Sequence, residues 1–232
     1  AEPIITTATD AESAFAVDTF AKENGFLLTD LQKVKEVSAK VLRGEKLRIY
    51  SDIPMERLVQ RPARHEAELV SVQDIDRADI VISYRTHILK PAEKSSQAIG
   101  LRLIAKRVHV GLGARKGVTQ VEVAAAVATC LEDAGIDPRA VVALASIDLK
   151  KQEAGILAYS YESGVPFVTY TAEELRTVEG AFAGSSFVQS VTGVANVCER
   201  AAAYAAGRSG HAEVLVHKTI HGNVTTAVAV EA

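Results

Sequence analysis

The sequence predicts an α/β protein: a mostly parallel sheet with helices on both faces and an antiparallel C-terminal edge, preceded by a smaller α/β lobe. Two observations carry this. From residue 103 onward, short β-branched apolar runs alternate with helical stretches that end at glycine. Hydrophobic residues make up 48% of the chain, yet only 5% are aromatic and none is Trp, which favours Ala/Val-rich helix-on-sheet layers over an aromatic-laden β-sandwich. A chain of 232 residues accommodates one large or two small cores. The expected division is residues 1–100 as a small lobe with a linker and 101–232 as the main α/β domain.

The chain opens with Ala1, and residues 4–10 (IITTATD) already form a β-type run without an earlier partner, as on entry into the middle of a domain. A helix is expected over 12–23, where Phe15 and Phe20 stand among small residues and Gly25 marks the stop. Asp30 is placed to cap a second helix with Leu31, Val34, Val37 and Val41 on one face and Gly44 beyond its end. Buried strands are expected at 47–50, 67–72 and 78–84, separated by a polar, proline-containing segment from Pro54 to Glu66. Residues His87 to Gly100, with Pro91 and little periodicity, read as the linker.

A regular alternation follows. Strand 103–110 leads through a glycine loop to a helix from Gln120 to about Ala134, ended by Gly135. Strand 141–147 precedes a helix over 152–163 that stops at Gly164, and strand 166–170 meets a Thr171–Glu174 capping box and a short helix. A helix is expected over 192–207. A hairpin with His221-Gly222-Asn223 at its tip then joins strand 213–219 to 224–230.

Charge and composition narrow the function. A net charge of −3 implies no general affinity for nucleic acid or anionic membranes. No apolar run approaches the length of a membrane span and no signal-peptide pattern is present, so a cytoplasmic protein is expected. Cys130 and Cys198 both fall in Ala-rich helical patterns and read as small buried hydrophobes, not as a disulfide or a nucleophile. His217 and His221 are spaced HxxxH, but on a strand four residues span about 13 Å, too far for one metal ion, so no metal site is expected.

Residues 108–121, VHVGLGARKGVTQV, concentrate the anion-binding features. Gly111, Gly113 and Gly117 permit close backbone approach, and Arg115 and Lys116 add positive charge. Thr119 with Glu122 forms a capping box that opens a helix whose free N–H groups point back at the loop. The spacing GxGxxxG is not the dinucleotide GxGxxG, and no glycine precedes Lys116 as a Walker loop requires. A carboxylate- or phosphate-bearing ligand is the expectation, with a purely structural turn as the alternative. Ligands of such sheets sit beyond the carboxyl ends of the strands, which brings in Asp148, Thr192-Gly193 at the start of the 192–207 helix, and Lys218-Thr219 at the end of a strand. Asp148 either serves the site or holds the turn after its strand.

Taken in order, GLGARKGVTQVEV, ALASIDLKKQEAGIL, VPFVTYTAEEL, VTGVANVCERAAAYAAG and HKTIHGNVTTAVA resemble the C-terminal domain of the cobalamin-biosynthesis CbiG family, the cobalt-precorrin-5A hydrolases, a domain also found alone in CobE-type proteins. Upstream, PIITTATDAESAFAVDTFAKENGF resembles the back half of that family's N-terminal domain and KVLRGEKLRIYSD its middle region; the front half of the N-terminal domain has no counterpart here. The resemblance implies hydrolysis of the δ-lactone of cobalt-precorrin-5A in the anaerobic corrin pathway, with release of acetaldehyde to give cobalt-precorrin-5B. It implies a cobalt-corrinoid precursor as substrate, other enzymes of the pathway as further partners, and no cofactor beyond the cobalt that the substrate carries.

The carboxylate fringe of a corrinoid suits the loop. Gly111, Gly113, Arg115, Gly117, Thr119, Thr192, Gly193, Lys218 and Thr219 are the expected substrate-binding residues. Lactone opening needs an activated water and donors for the oxyanion, for which Asp148 as base and Lys116 with the N–H groups of residues 119–121 are the candidates. A corrinoid-binding module without chemistry, or an unrelated α/β protein that binds a phosphorylated metabolite, are the competing readings.

Overall fold

The computed structural model describes residues 15–86, 100–180, 182, 184–208 and 211–231. The β-type run expected at 4–10, the first residues of the expected 12–23 helix and nearly all of the expected linker lie outside them. The chain divides into two compact units, one made of Ala1–Ser83 and His87–Ala105, the other of Tyr84–Thr86 and Lys106–Ala232.

The first unit holds helices α1 (Val17–Glu23) and α2 (Leu31–Leu42) and strands β1 (Phe26–Leu28), β2 (Leu47–Ser51), β3 (Ala67–Leu69), β4 (Ile80–Ser83) and β5 (Leu101–Ala105). The sheet order is β1-β5-β4-β2-β3, parallel except for β1 against β5. Asp30 caps α2 as its sequence position predicts, accepting the Gln32 and Lys33 N–H groups at 2.8 and 3.2 Å. All four residues of β4 are buried, as a central parallel strand requires. Phe20, Leu47, Ile49, Ile80, Ile82, Leu101 and Leu103 form the core between this sheet and its helices.

Three expectations change here. β1 is a strand that pattern alone does not reveal, because three residues are too few to show alternation. The expected strand 67–72 ends at Leu69, and a 3-10 turn, Val72–Arg77, follows it. The expected strand 103–110 is two strands, since Lys106-Arg107 interrupts it: β5 completes the first sheet, and Val108 begins the second.

The second unit holds β6 (Val108–Ala114), α3 (Gln120–Asp133), β7 (Val141–Ile147), α4 (Ala154–Ser163), β8 (Phe167–Tyr170), α5 (Ala172–Arg176), α6 (Ser186–Thr192), α7 (Cys198–Gly207), β9 (Ala212–His221) and β10 (Val224–Glu231). The order is β8-β7-β6-β10-β9: three parallel strands, then the C-terminal hairpin as the predicted antiparallel edge. On one face, Ala202 and Ala206 of α7 lie against Ala229 of β10. α3 covers the opposite face, where the Cys130 thiol reaches the Thr226 hydroxyl. Helix 192–207 is thereby corrected: Gly193, with φ +74°, ends α6, and α7 begins only at Cys198. Thr192-Gly193 closes one helix and does not open the next.

Gly111 explains how close α7 comes. It sits in the middle of β6, opposite Ala227 of β10, and a Cβ at this position would run into the Cys198 carbonyl oxygen. A strand glycine here admits another backbone where a side chain would stand. α7 is consequently pressed onto the middle of β6 by its first turn.

Candidate functional site

The carboxyl ends of β6, β7 and β8 form one rim of the second unit. The glycine segment contributes less loop than its composition suggests, since β6 continues through Ala114. Only residues 115–118 turn. Gly117 takes φ +81°, a left-handed conformation that favours glycine, and the Arg115 N–H donates to the Asn223 carbonyl of the hairpin tip at 2.9 Å. Arg115 and Lys116 are exposed, and neither side chain has an ion-pair partner among the described residues. Both are therefore available to an anionic ligand.

Thr119 caps α3 in the predicted capping box. Its N–H donates to Glu122 Oε2 at 2.9 Å, and the Glu122 N–H donates back to Thr119 Oγ1 at 3.2 Å. The Asn223 amide donates to Glu122 Oε1 at 2.8 Å. The backbone and hydroxyl of Thr119, followed by Asn223, hold the Glu122 carboxyl below the usual range, so a negative charge of the chain already occupies part of this helix start. That corrects the anion-stabiliser expectation. The Thr119 N–H is committed to Glu122, and Gln120 and Val121 keep the donors that face outward from the first turn.

From β7 the chain enters a 3-10 turn, Asp148–Lys150, and then α4. Asp148 is half-buried, and its carboxylate has no hydrogen-bond or ion-pair partner among the described residues. The turn-holding role for Asp148 would need side-chain bonds to the turn, and these are absent among the described residues. Glu153 performs the structural work instead. Its Oε1 accepts the Gly117 N–H at 2.7 Å and its Oε2 the Lys150 ammonium at 3.2 Å, with the Glu153 side chain only 10% exposed. Gly155 lets α4 cross directly over Val118, whose carbonyl oxygen a Cβ would strike. The β6–α3 turn and the β7–α4 connection are thus fastened together, which brings Arg115, Lys116, Gly117, Thr119 and Asp148 to one rim.

Other expected site residues have different work. Gly111 serves helix packing, and Gly113 accommodates the Thr225 side chain. Thr192 spends its hydroxyl on the Val188 and Val194 carbonyls at 2.8 and 2.9 Å. Gly193 does stay near the rim, because a Cβ there would lie 3.5 Å from Arg176 Nη2 of the helix that follows β8. Lys218 and Thr219 lie within β9, which runs on to His221, and they diverge. Thr219 pairs with Thr226 and lines a cavity of about 310 Å³ with Cys130 and Ile136, whereas the Lys218 charge acts on Cys198 of α7. Burial pushes the Cys198 thiol up to about 11 and raises that of Cys130, so neither is poised as a nucleophile. Among the described residues no three His, Cys, Asp or Glu side chains converge on a metal position, and no helix is long and apolar enough to cross a membrane.

Glu153, Asn223 and Glu199 are among the polar residues of this unit whose partners spacing does not reveal. Glu153 precedes Gly155 without a capping pattern, and the partners of Asn223 and Glu199 are distant in sequence.

Comparison with known proteins agrees with this architecture. Residues 108–229 match the family described as Cobalamin synthesis G C-terminus, and residues 15–103 match the Cobalamin biosynthesis central region. The chain belongs to the cobalamin synthesis G family. The Cobalt-precorrin-5A hydrolase of Salmonella typhimurium is 32% identical over 206 residues, covering 87% of this chain and 57% of that relative. The chain therefore spans little more than half the length of this curated relative. Protein CobE of Sinorhizobium sp is 34% identical over 121 residues, 52% of this chain and 77% of its own length. The crystal structure of CobE, a protein from the cobalamin (vitamin B12) biosynthetic pathway, superposes with a TM-score of 0.52 at 27% identity over 55% of this chain and 92% of that one.

Proposed function

We propose that this protein opens the δ-lactone of cobalt-precorrin-5A in anaerobic cobalamin biosynthesis, releasing acetaldehyde and giving cobalt-precorrin-5B. The observation that carries the reading is the rim of the second unit, where the exposed Arg115 and Lys116 and the unpartnered, half-buried Asp148 are fastened to one edge by Glu153. The similarity to the Salmonella hydrolase supports it. A corrinoid precursor presents carboxylates around a broad plate, and two unpaired cations beside a helix start suit that fringe. Asp148 takes a proton from the attacking water. Lys116 and the Gln120 and Val121 N–H groups face the developing oxyanion. Cobalt enters as part of the substrate, and the protein supplies no cofactor of its own.

Acetaldehyde released from cobalt-precorrin-5A tests the reading. The Asp148→Asn variant keeps the shape and removes the base, so its rate should fall by about a hundredfold while the substrate's absorbance still shifts on binding. An absorbance shift with no acetaldehyde from the wild type would instead favour a corrinoid-binding module, a reading that the shared extent with CobE also supports. Near-normal release by Asp148→Asn would remove Asp148 from the mechanism.

A further inference from the structure

The β8 side of the rim carries a cation that the chemistry above does not use. β7 and β8 run side by side to their last pair, Ile147 with Tyr170, so Asp148 and Thr171 leave the sheet next to each other. The Thr171–Glu174 capping box then starts α5, whose Leu175 is fully buried. Leu175 shares one core cluster with Ile147, Tyr170 and Val194, which ties α5 and the segment after α6 to the carboxyl ends of both strands. Arg176 follows Leu175 and is exposed. A Cβ built on Gly193 would lie 3.5 Å from Arg176 Nη2, so the guanidinium rests beside the residue that precedes Val194, and the missing side chain leaves that flank uncovered. A second arginine nearby has different work. Arg200 of α7 donates from Nη1 to the Leu175 and Val178 carbonyls at 3.1 and 2.6 Å and lies over the Phe182 ring, which holds the chain around α5. Arg176 has no hydrogen-bond or ion-pair partner among the described residues. Its planar fork of N–H donors matches a carboxylate.

We propose that Arg176 binds a second carboxylate of the substrate, across Asp148 from Arg115 and Lys116, and so selects a ligand broad enough to reach both sides. The inference rests on the proposed corrinoid substrate and not on its hydrolysis. The strand order β8-β7-β6 sets the end of β7, where Asp148 follows, between the two segments that carry the cations. Neighbouring strands lie about 4.8 Å apart, so the ends of β6 and β8 are separated by about 10 Å. A small anion engages one side at a time. A corrin plate with carboxylates around its edge reaches both, and a plate anchored at two edges keeps its lactone in one orientation over Asp148. Arg176 is in this sense a binding residue that sets specificity and takes no part in proton transfer.

The experiment titrates the full chain by absorbance with cobyrinic acid, a corrinoid with free carboxylate side chains, and with its methyl ester, in which they are capped. Thermal denaturation runs alongside. Arg176→Ala should weaken binding of the acid about tenfold, leave binding of the ester unchanged and leave the denaturation midpoint in place. Arg176→Lys keeps the charge without the fork and should weaken the acid only about threefold. Combined with Arg115→Ala and Lys116→Ala, the loss should multiply, because separate carboxylates are read on the two sides. With cobalt-precorrin-5A, Arg176→Ala should raise KM about tenfold at nearly unchanged kcat. Should Arg176→Ala lower the midpoint, Arg176→Gln, which keeps most of the side chain's bulk, decides in its place. Unchanged affinity for the acid in a folded variant would overturn the inference and leave the hydrolase reading standing, and so would equal losses for acid and ester. A wild type that prefers the acid through Arg176 yet releases no acetaldehyde would overturn the hydrolase reading and support this one.

Discussion

Helices α3 and α7 cover opposite faces of the second sheet, α3 beginning beyond the end of β6 and α7 over its middle, and their first turns are held by different partners. α3 starts from an exposed Thr119 whose capping partner, Glu122, is three residues away. α7 starts after Val197 with no side chain of that residue capping it, and its first turn carries a buried Glu199 whose hydrogen-bond donor, the Lys218 N–H, lies 19 residues further on in β9. The first start is a local arrangement that stabilises its own helix. The second is also capped locally, by Asn196 Oδ1 accepting the Glu199 N–H at 3.1 Å, but the Glu199 carboxylate finds the Lys218 N–H only once the sheet is assembled. The difference teaches how polar groups are placed in this unit: exposed residues by local caps, and a buried acid by long-range packing against an edge strand.

Packing at Gly111 offers the most forceful way to break that contrast. Gly111→Val places a side chain where the Cys198 carbonyl lies, and a backbone carbonyl cannot swing aside as a flexible side chain does. Overpacking typically costs 1–3 kcal/mol, and the cost here should reach about 3 kcal/mol or more, read as a fall in the denaturation midpoint. α7 should lift from β6 and carry Glu199 away from the Lys218 N–H. An unshifted midpoint would show that α7 is not held by this approach.

Next in size come the two helix starts compared directly. Glu199→Ala leaves the Lys218 N–H without an acceptor, which should cost about 1–3 kcal/mol. Glu199→Gln, which keeps an acceptor and relieves the buried charge, should cost less than half of that. Thr119→Ala removes an exposed cap and should cost about 1 kcal/mol. If denaturation ranks Thr119→Ala above Glu199→Ala, the buried acid is not integral to the sheet edge.

The same contrast decides what could be read without coordinates. The Thr119 and Thr171 capping boxes, the Asp30 cap, the alternation of strands and helices and the C-terminal hairpin all rest on neighbours within a few residues or on a short period, and each is legible. What escapes is set by approach between distant segments. Gly111 and Gly113 resemble loop glycines because a strand glycine and a turn glycine are the same residue in a string, and only the nearness of Cys198 and Thr225 distinguishes them. The break at Lys106-Arg107 escapes because the apolar runs on either side are continuous in character while their partners belong to different sheets. Lys218 is expected at the rim as a donor that closes its strand, yet it lies within β9. Its backbone N–H turns out to matter as well, through a bulge whose existence depends on the pairing register.

The smallest expected effect on stability belongs to the pair most exposed to a ligand. Arg115 and Lys116 have no ion-pair partner among the described residues, so replacing both by Ala removes solvated charge and little packing. The denaturation midpoint should move by no more than the equivalent of about 0.5 kcal/mol, the usual range for surface changes away from caps and cores. Binding should respond differently. Each charge-assisted contact to a carboxylate is worth about 1.5–3 kcal/mol, so affinity for a polycarboxylated corrinoid should fall by at least about 2 kcal/mol, close to thirtyfold. Salt sharpens the test, because exposed pairs weaken as ionic strength rises and the gap between variant and wild type should therefore narrow. A large loss of stability at unchanged affinity would assign the two cations to the turn that carries them. Unchanged stability with unchanged affinity would move the carboxylate fringe of the ligand away from this rim and leave the edge beside His217 and Lys218 as the place to look for it.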